Sequence, residues 1–331
     1  MKVAIYDTHN FEKEMIREAN KDFLHEIHFF EVRLTKETAL MARGYDCISA
    51  FTNDKLDEEV LTLLSSEGIK LIALRSAGFN HIDLLAAKKL GLKVVRVPEY
   101  SPFSVAEYAV GLILCLNRKI HKAYNRVREG NFSLDGLVGF DLHGKTIGVI
   151  GTGRIGQAFI RIMRGFGCHV LAFDLLPNRQ FADEVGCRYT SFEEVIEMSD
   201  IISLHLPLSK ESTHLINNET FQKMKKGCIL INTGRGKLID TKALISSLKR
   251  GDINGAGLDV YEEEENFFFQ DHSGQVLQDD VLARLMTFPN VLLTSHQGFL
   301  TKEAIHNIAH TTLQNINDFE KNLPLKNQVH I

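Results

Sequence analysis

The sequence predicts an α/β protein made of two doubly wound parallel sheets. Short β-rich apolar runs alternate with helical patterns along nearly the whole chain. These alternations fall into two series, separated by one long helical pattern at about 104–129. At 331 residues the chain is also longer than one domain usually is, so two domains are expected.

In the first series the strand-like runs are 3–7, 26–31, 47–51, 71–76 and 94–97, with amphipathic stretches such as 56–66 and 83–90 between them. That is enough for a compact sheet with helices on both faces. The second series has runs at 146–150, 169–173, 201–206, 228–232, 255–260 and 291–294. After His296 the chain reads as one more helix, 302 to about 321, which is expected to pack back on the first domain. The expected division is therefore 1–100 with 299–331, and 101–298.

Composition narrows the function classes. The chain is 44% hydrophobic and 24% charged with a net charge of -4, ordinary values for a globular enzyme. No basic block offers an electrostatic footprint for nucleic acid or an anionic membrane surface. The most apolar helical stretch, 105–116, is too short to span a bilayer and contains Glu107. The N-terminal residues reach Asp7 too soon for a secretory signal. The five cysteines are scattered without CxxC spacing, which disfavours disulfides and a metal site, so no metal and a cytoplasmic setting are expected.

Gly151-Thr152-Gly153-Arg154-Ile155-Gly156 directly follows a strand run and opens a helical pattern. That context turns a weak GxGxxG match into a dinucleotide-binding fingerprint. The first glycine allows the tight turn, and the second lets backbone approach a pyrophosphate. The third allows helix and sheet to touch, and the helix N-terminus faces the anion. Ile155 lies in that first turn; Arg154 could reach the pyrophosphate or be solvated. The next strand run ends at Asp174, about twenty residues on, where a carboxylate accepts ribose hydroxyls and repels a 2′-phosphate. The expected cofactor is NAD.

Ligands of an open parallel sheet bind beyond the carboxyl ends of its strands. Those ends carry Leu206 and Pro207, Thr233, Gly234 and Arg235, Asp259 with the glutamates 262–265, and His296. One guanidinium, several carboxylates and one imidazole suit hydride transfer to a keto acid. A protonated histidine donates to the carbonyl oxygen and serves as base in the reverse direction. A neighbouring carboxylate would orient the imidazole and favour its charged form. A guanidinium binds the substrate carboxylate through two parallel hydrogen bonds. Taken singly, each has a plainer reading: a satisfied strand-end histidine, a salt-bridging or phosphate-binding arginine, a solvated acidic face.

These motifs resemble the NAD-dependent D-2-hydroxyacid dehydrogenase family over essentially the whole chain, and its D-lactate dehydrogenases in particular. The matching segments are Leu74-Arg75-Ser76-Ala77-Gly78-Phe79-Asn80, Val97-Pro98-Glu99-Tyr100-Ser101-Pro102, Asn232-Thr233-Gly234-Arg235-Gly236, Asp259-Val260-Tyr261-Glu262-Glu263-Glu264 and Ser295-His296-Gln297-Gly298-Phe299. The resemblance implies a Rossmann nucleotide domain and a flavodoxin-like substrate domain with a cleft between them. It implies that Arg235 binds substrate, that Glu264 rather than another glutamate pairs with His296, and that His296 is the acid/base. It places Asp259 near the nicotinamide and assigns the substrate to the backbone of Ala77 and Gly78, Tyr100 and Phe299. It also implies D stereochemistry and a homodimer through the nucleotide domain, embraced by the long connecting helix and able to form a dimer of dimers.

Pyruvate and D-lactate are the expected pair. Branched-chain, aromatic and hydroxypyruvate enzymes of the family are the alternatives. Phosphoglycerate enzymes often add a regulatory domain and are expected to be longer. Formate oxidation needs no glutamate–histidine pair. Outside enzymes, the alternative is an NAD-sensing binding protein that recruits partners.

Overall fold

The computed structural model describes residues 1–330. It divides into two compact units, one comprising Met1–Ser101 with the C-terminal segment from Leu300, the other Pro102–Phe299.

The first unit holds β1 (Lys2–Ile5), β2 (Glu26–Phe29), β3 (Cys47–Ala50), β4 (Leu71–Leu74) and β5 (Lys93–Val95). They form one parallel sheet in the order β2-β1-β3-β4-β5, the flavodoxin-like order. The two-residue period of a strand sends alternate side chains to opposite cores. Ala4 and Tyr6 join Ile48, Leu61, Leu64 and Ile72 on one face. Val3 and Ile5 join Cys47, Leu71 and Val95 on the other, where Ile16 of helix Asn10–Ala19 and Leu313 and Ile316 of helix Lys302–Glu320 cover them. A salt bridge of 2.8 Å from the Met1 ammonium to Glu320 ties the first strand to that last helix.

The second unit holds β6 (Thr146–Ile150), β7 (His169–Phe173), β8 (Arg188–Tyr189), β9 (Ile201–Leu204), β10 (Cys228–Asn232), β11 (Ile253–Leu258) and β12 (Val291–Leu293). The order is β12-β11-β10-β9-β6-β7-β8, parallel throughout. This is the Rossmann order, with its switch point between β6 and β9. All five residues of β10 are buried, because helices cover both faces of the sheet. Cys228 and Leu230 enter one core, Ile229 and Ile231 the other.

Two features differ from the sequence expectation. The two-residue strand β8 is too short to leave a periodic signal. The stretch expected as one helix from 104 to about 129 is two helices, Pro102–Arg118 and Ile120–Arg128, broken at Lys119 with φ 51° and ψ 38°. No glycine or proline marks that joint. Tertiary bonds make it: the Asn117 amide donates to Phe140 O at 2.7 Å and accepts from Phe140 N at 2.8 Å, while Lys119 Nζ donates to Val138 O at 2.5 Å. Among the described residues no helix is long and apolar enough to cross a membrane.

Candidate active site

The nucleotide loop begins where β6 ends. Gly151 has φ +92°, and a Cβ there would stand 2.5 Å from His205 O. A Cβ on Gly156 would stand 2.1 Å from Gly151 O, so the first turn of helix Arg154–Gly165 lies directly on the loop. A Cβ on Gly153 would meet nothing within 4 Å, which leaves this backbone open to a ligand. Gly153 is the N-cap and supplies no side chain, so the first-turn N–H groups, including those of Arg154 and Ile155, form a cradle for a diphosphate.

Asp174 closes β7. Its Oδ2 accepts Thr152 N at 2.6 Å and Thr152 Oγ at 3.0 Å, and its Oδ1 accepts Leu176 N at 2.9 Å. Burial opposes its ionisation, but these donors outweigh burial and hold the carboxyl below the usual range. The Tyr189 hydroxyl donates to Thr152 Oγ at 2.8 Å, so β8 supports the same constellation. Across the switch point, Leu206 and Pro207 follow β9, and Thr233 and Gly234 follow β10. The buried Thr233 hydroxyl has no hydrogen-bond partner in the protein, which leaves a polar atom for a bound cofactor. The open glycine backbone, the oriented carboxylate and this orphaned hydroxyl fit NAD.

His205 did not stand out in the sequence. Its carbonyl lies under Gly151, its ring is 4.9 Å from Phe159, and Nε2 shares a 2.9 Å hydrogen bond with Ser203 Oγ. Burial pushes its pKa down to about 3, so the ring stays neutral beneath the phosphate cradle.

His296 and Glu264 meet in the second unit, beyond the ends of β12 and β11. Nδ1 of His296 is 2.7 Å from Oε1 of Glu264, and the other carboxylate oxygen accepts Tyr261 N at 3.0 Å. Both side chains are largely buried, 17% and 15% exposed, so the pair is only weakly screened by water. A carboxylate beside Nδ1 fixes the orientation of the ring.

Asp259 holds the histidine loop. Its Oδ1 accepts Thr294 Oγ at 2.6 Å and Gln297 N at 2.9 Å, its Oδ2 accepts Gly298 N at 2.7 Å, and its carbonyl accepts His296 N at 2.6 Å. Burial raises the Asp259 carboxyl, and the donors from Thr294, Gln297 and Gly298 oppose that rise. His296 has φ +55°, a left-handed conformation that these bonds sustain.

Arg235 follows β10, the neighbour of β11. Its Nη1 donates to Gly234 O at 2.8 Å, and Asn232 braces the turn by donating to Arg235 O at 2.8 Å and accepting Gly234 N at 3.0 Å. A Cβ on Gly236 would lie 2.0 Å from Tyr261 O, so the arginine turn rests on the acidic turn that carries Glu264.

Phe299 is buried at the end of the second unit. Ala77, Gly78 and Tyr100 belong to the first unit. Arg96 Nη1 donates to Ala77 O at 2.6 Å and Ser76 Oγ to Gly78 O at 2.7 Å, while Tyr100 O accepts Asn307 Nδ2 at 2.6 Å. Arg75, within the same motif, is fully buried: it forms a fork with Glu12 at 2.9 and 3.1 Å and donates to Tyr6 O at 2.8 Å. That arginine braces the sheet edge. Among the described residues no group of three His, Cys, Asp or Glu side chains could hold a metal ion.

Comparison with known proteins agrees with this geometry. The family profile described as D-isomer specific 2-hydroxyacid dehydrogenase, NAD binding domain, matches residues 110–298. The chain is 54% identical over 321 residues to a 2-hydroxyacid dehydrogenase homolog of Zymomonas mobilis, covering 97% of each. It is 49% identical over 329 residues to D-lactate dehydrogenase of Escherichia coli, covering 99% of this chain and 100% of that one. The solved structure of the pyruvate reductase of Chlamydomonas reinhardtii superposes with a TM-score of 0.93 at 46% identity, covering 99% of this chain and 98% of that one. With its glycine cradle, its Asp174 and these relatives, the chain belongs to the D-isomer-specific 2-hydroxyacid dehydrogenases and is an NAD-dependent oxidoreductase.

Proposed function

We propose that the chain reduces pyruvate to D-lactate, and that His296, Glu264 and Arg235 carry the chemistry. The observation that carries the reading is the 2.7 Å bond between His296 Nδ1 and Glu264 at the carboxyl ends of β11 and β12. The names of the Escherichia coli and Chlamydomonas relatives support the choice of substrate.

Bound NADH supplies the hydride for the substrate carbonyl carbon. Arg235 grips the substrate carboxylate with its guanidinium fork, which fixes the carbonyl's orientation. Ala77, Gly78, Tyr100 and Phe299 are also assigned to substrate binding. His296 donates its Nε2 proton to the carbonyl oxygen as negative charge grows there. Glu264 keeps Nδ1 protonated and the ring aimed, and offsets the imidazolium charge. In lactate oxidation the neutral ring takes the hydroxyl proton back.

We assign the cofactor's adenosine ribose to Asp174 and its diphosphate to Gly151, Gly153, Arg154, Ile155 and Gly156. Leu206, Pro207, Thr233, Gly234 and Asp259 are assigned to its remaining edge. We also assign a homodimer built on the second unit. The exposed Tyr124, Phe132, Leu134 and Val138 of the segment after Lys119 support it.

The test is NADH oxidation against pyruvate, phenylpyruvate, 2-ketoisocaproate, hydroxypyruvate and glyoxylate, with chiral analysis of the product. Pyruvate is expected to give the highest kcat/KM, and D-lactate the product. A clear preference for 2-ketoisocaproate or phenylpyruvate would reassign the substrate, and L-lactate would overturn the stereochemistry.

A further inference from the structure

The acidic turn contains a second carboxylate–imidazole pair that the proposed mechanism leaves unused. His214 Nε2 is 2.6 Å from Oε1 of Glu262. The other carboxylate oxygen of Glu262 accepts the Thr241 hydroxyl at 2.8 Å and Thr241 N at 3.2 Å. His214 in turn donates its backbone N–H to Lys237 O at 2.8 Å, and Ile216 N donates to Leu238 O at 3.0 Å. Glu262 and His214 thus grip the segment that leaves Arg235 at its middle, Lys237, and at its far end, Thr241.

The near end is gripped as well. Gly236 lies against Tyr261 and Glu262 so tightly that a Cβ would stand 2.5 Å from Glu262 N. His214 has φ +53°, a conformation unfavourable for a residue with a Cβ, and the Glu262 bond and the Lys237 bond hold it there. Its side chain is 42% exposed, so this ion pair adds little to overall stability. What it provides is geometry: three points of fixation on one short turn whose first residue is Arg235.

We infer that Glu262, paired with His214, is a positioning residue that sets the direction of the Arg235 guanidinium. This rests on the reading of Arg235 as the substrate-carboxylate ligand. A fork that must meet a carboxylate with two parallel bonds tolerates little rotation of its own turn. Loosening the clamp therefore weakens keto-acid binding more than nucleotide binding, because the glycine cradle is on a different loop and only Thr233 and Gly234 of the assigned cofactor edge share the Arg235 turn.

The experiment is a kinetic cycle with Glu262→Ala, Arg235→Lys and the double variant, reading KM for pyruvate and for NADH, with a melting curve for each. Glu262→Ala is expected to raise the pyruvate KM about tenfold with a much smaller rise in the NADH KM. Glu262→Gln, which still accepts from Thr241, is expected to recover most of that loss. His214→Asn keeps a residue tolerant of positive φ and removes the imidazole, and is expected to raise the pyruvate KM severalfold. Because Glu262 acts through Arg235, adding Glu262→Ala to Arg235→Lys should change little.

Equal rises in both KM values, fully multiplicative effects in the double variant, or a silent His214→Asn would overturn the inference. If Arg235→Lys raises the pyruvate KM while Glu262→Ala does not, the clamp fails and the substrate arginine stands. If Arg235→Lys itself leaves that KM unchanged, the reading of Arg235 fails, whatever residue 262 does.

Discussion

At His296 one ring nitrogen is hydrogen-bonded to Glu264, and Asp259 holds the loop that carries the ring. Glu264→Gln removes the negative charge but retains an acceptor for Nδ1. The variant should keep the ring's orientation but lose the charge that offsets the imidazolium, so kcat for pyruvate reduction is expected to fall about tenfold. A wild-type kcat in this variant would remove Glu264 from its assigned role. Arg235→Lys replaces a fork with a point charge and is expected to lower kcat/KM for pyruvate about 10- to 100-fold, mostly through KM. The run of four glutamates shows why residue roles were only partly legible. The sequence brings four carboxylates to one strand end, but the turn at 261–266 decides which way each faces. Glu262 turns to His214 and Glu264 to His296, while Glu263 and Glu265 are the exposed members of the run. Asp259 was legible as a strand-end acid, but its grip on residues 294–298 depends on a loop more than thirty residues away.

Strands and the glycine turn were the legible elements, because buried parallel strands leave apolar runs and GxGxxG has a steric cause at each glycine. The joint at Lys119 was not, since nothing local forbids a continuous helix there and the bonds to Val138 and Phe140 alone break it. Where the cause is steric, the consequence can be stated. Gly156→Ala places a methyl 2.1 Å from a backbone oxygen, so loop and helix must part. It is expected to weaken NADH binding by at least about tenfold in a fluorescence titration, and to lower Tm by several degrees. A variant with wild-type NADH affinity would mean that the loop relaxes freely. The neutral ring of His205 gives this element a pH signature. Its pKa is about 3 in the folded chain against 6.5 for a free imidazole, so between these values the unfolded state binds more protons. This contribution to stability is fully present above pH 6.5 and is lost as pH falls toward 3. Asp54, pushed up to about 7 by burial, acts in the opposite sense: between pH 3.8 and 7 its folded form binds more protons, so that term favours folding at acid pH. Their separation requires variants. His205→Gln should flatten the fall in Tm between neutral and acid pH relative to wild type, and Asp54→Asn should steepen it. Parallel Tm profiles in all three proteins would disprove both assignments.

At the scale of the whole molecule, the proposed homodimer is tested at the exposed apolar side chains after Lys119. Phe132, Leu134 and Val138 are 74%, 79% and 83% exposed. Leu134→Glu combined with Val138→Glu is expected to halve the particle mass in light scattering, with the Gly151–Gly156 turn intact by NADH titration. An unchanged mass would place the dimer contact elsewhere.

The order of the chain has a further consequence. Helix Lys302–Glu320 packs on the sheet that the first hundred residues build, over Val3, Ile5, Cys47, Leu71 and Val95. During synthesis those strands leave the ribosome roughly two hundred residues before their cover does. The inserted unit, continuous from Pro102 to Phe299, has all its own strands in hand first. Until the last helix arrives, helix Asn10–Ala19 alone covers that face of the N-terminal sheet, which leaves much of its apolar surface open to chaperones. Stop codons placed before residue 302 should therefore yield insoluble product, even though every residue of the proposed catalytic trio has been made.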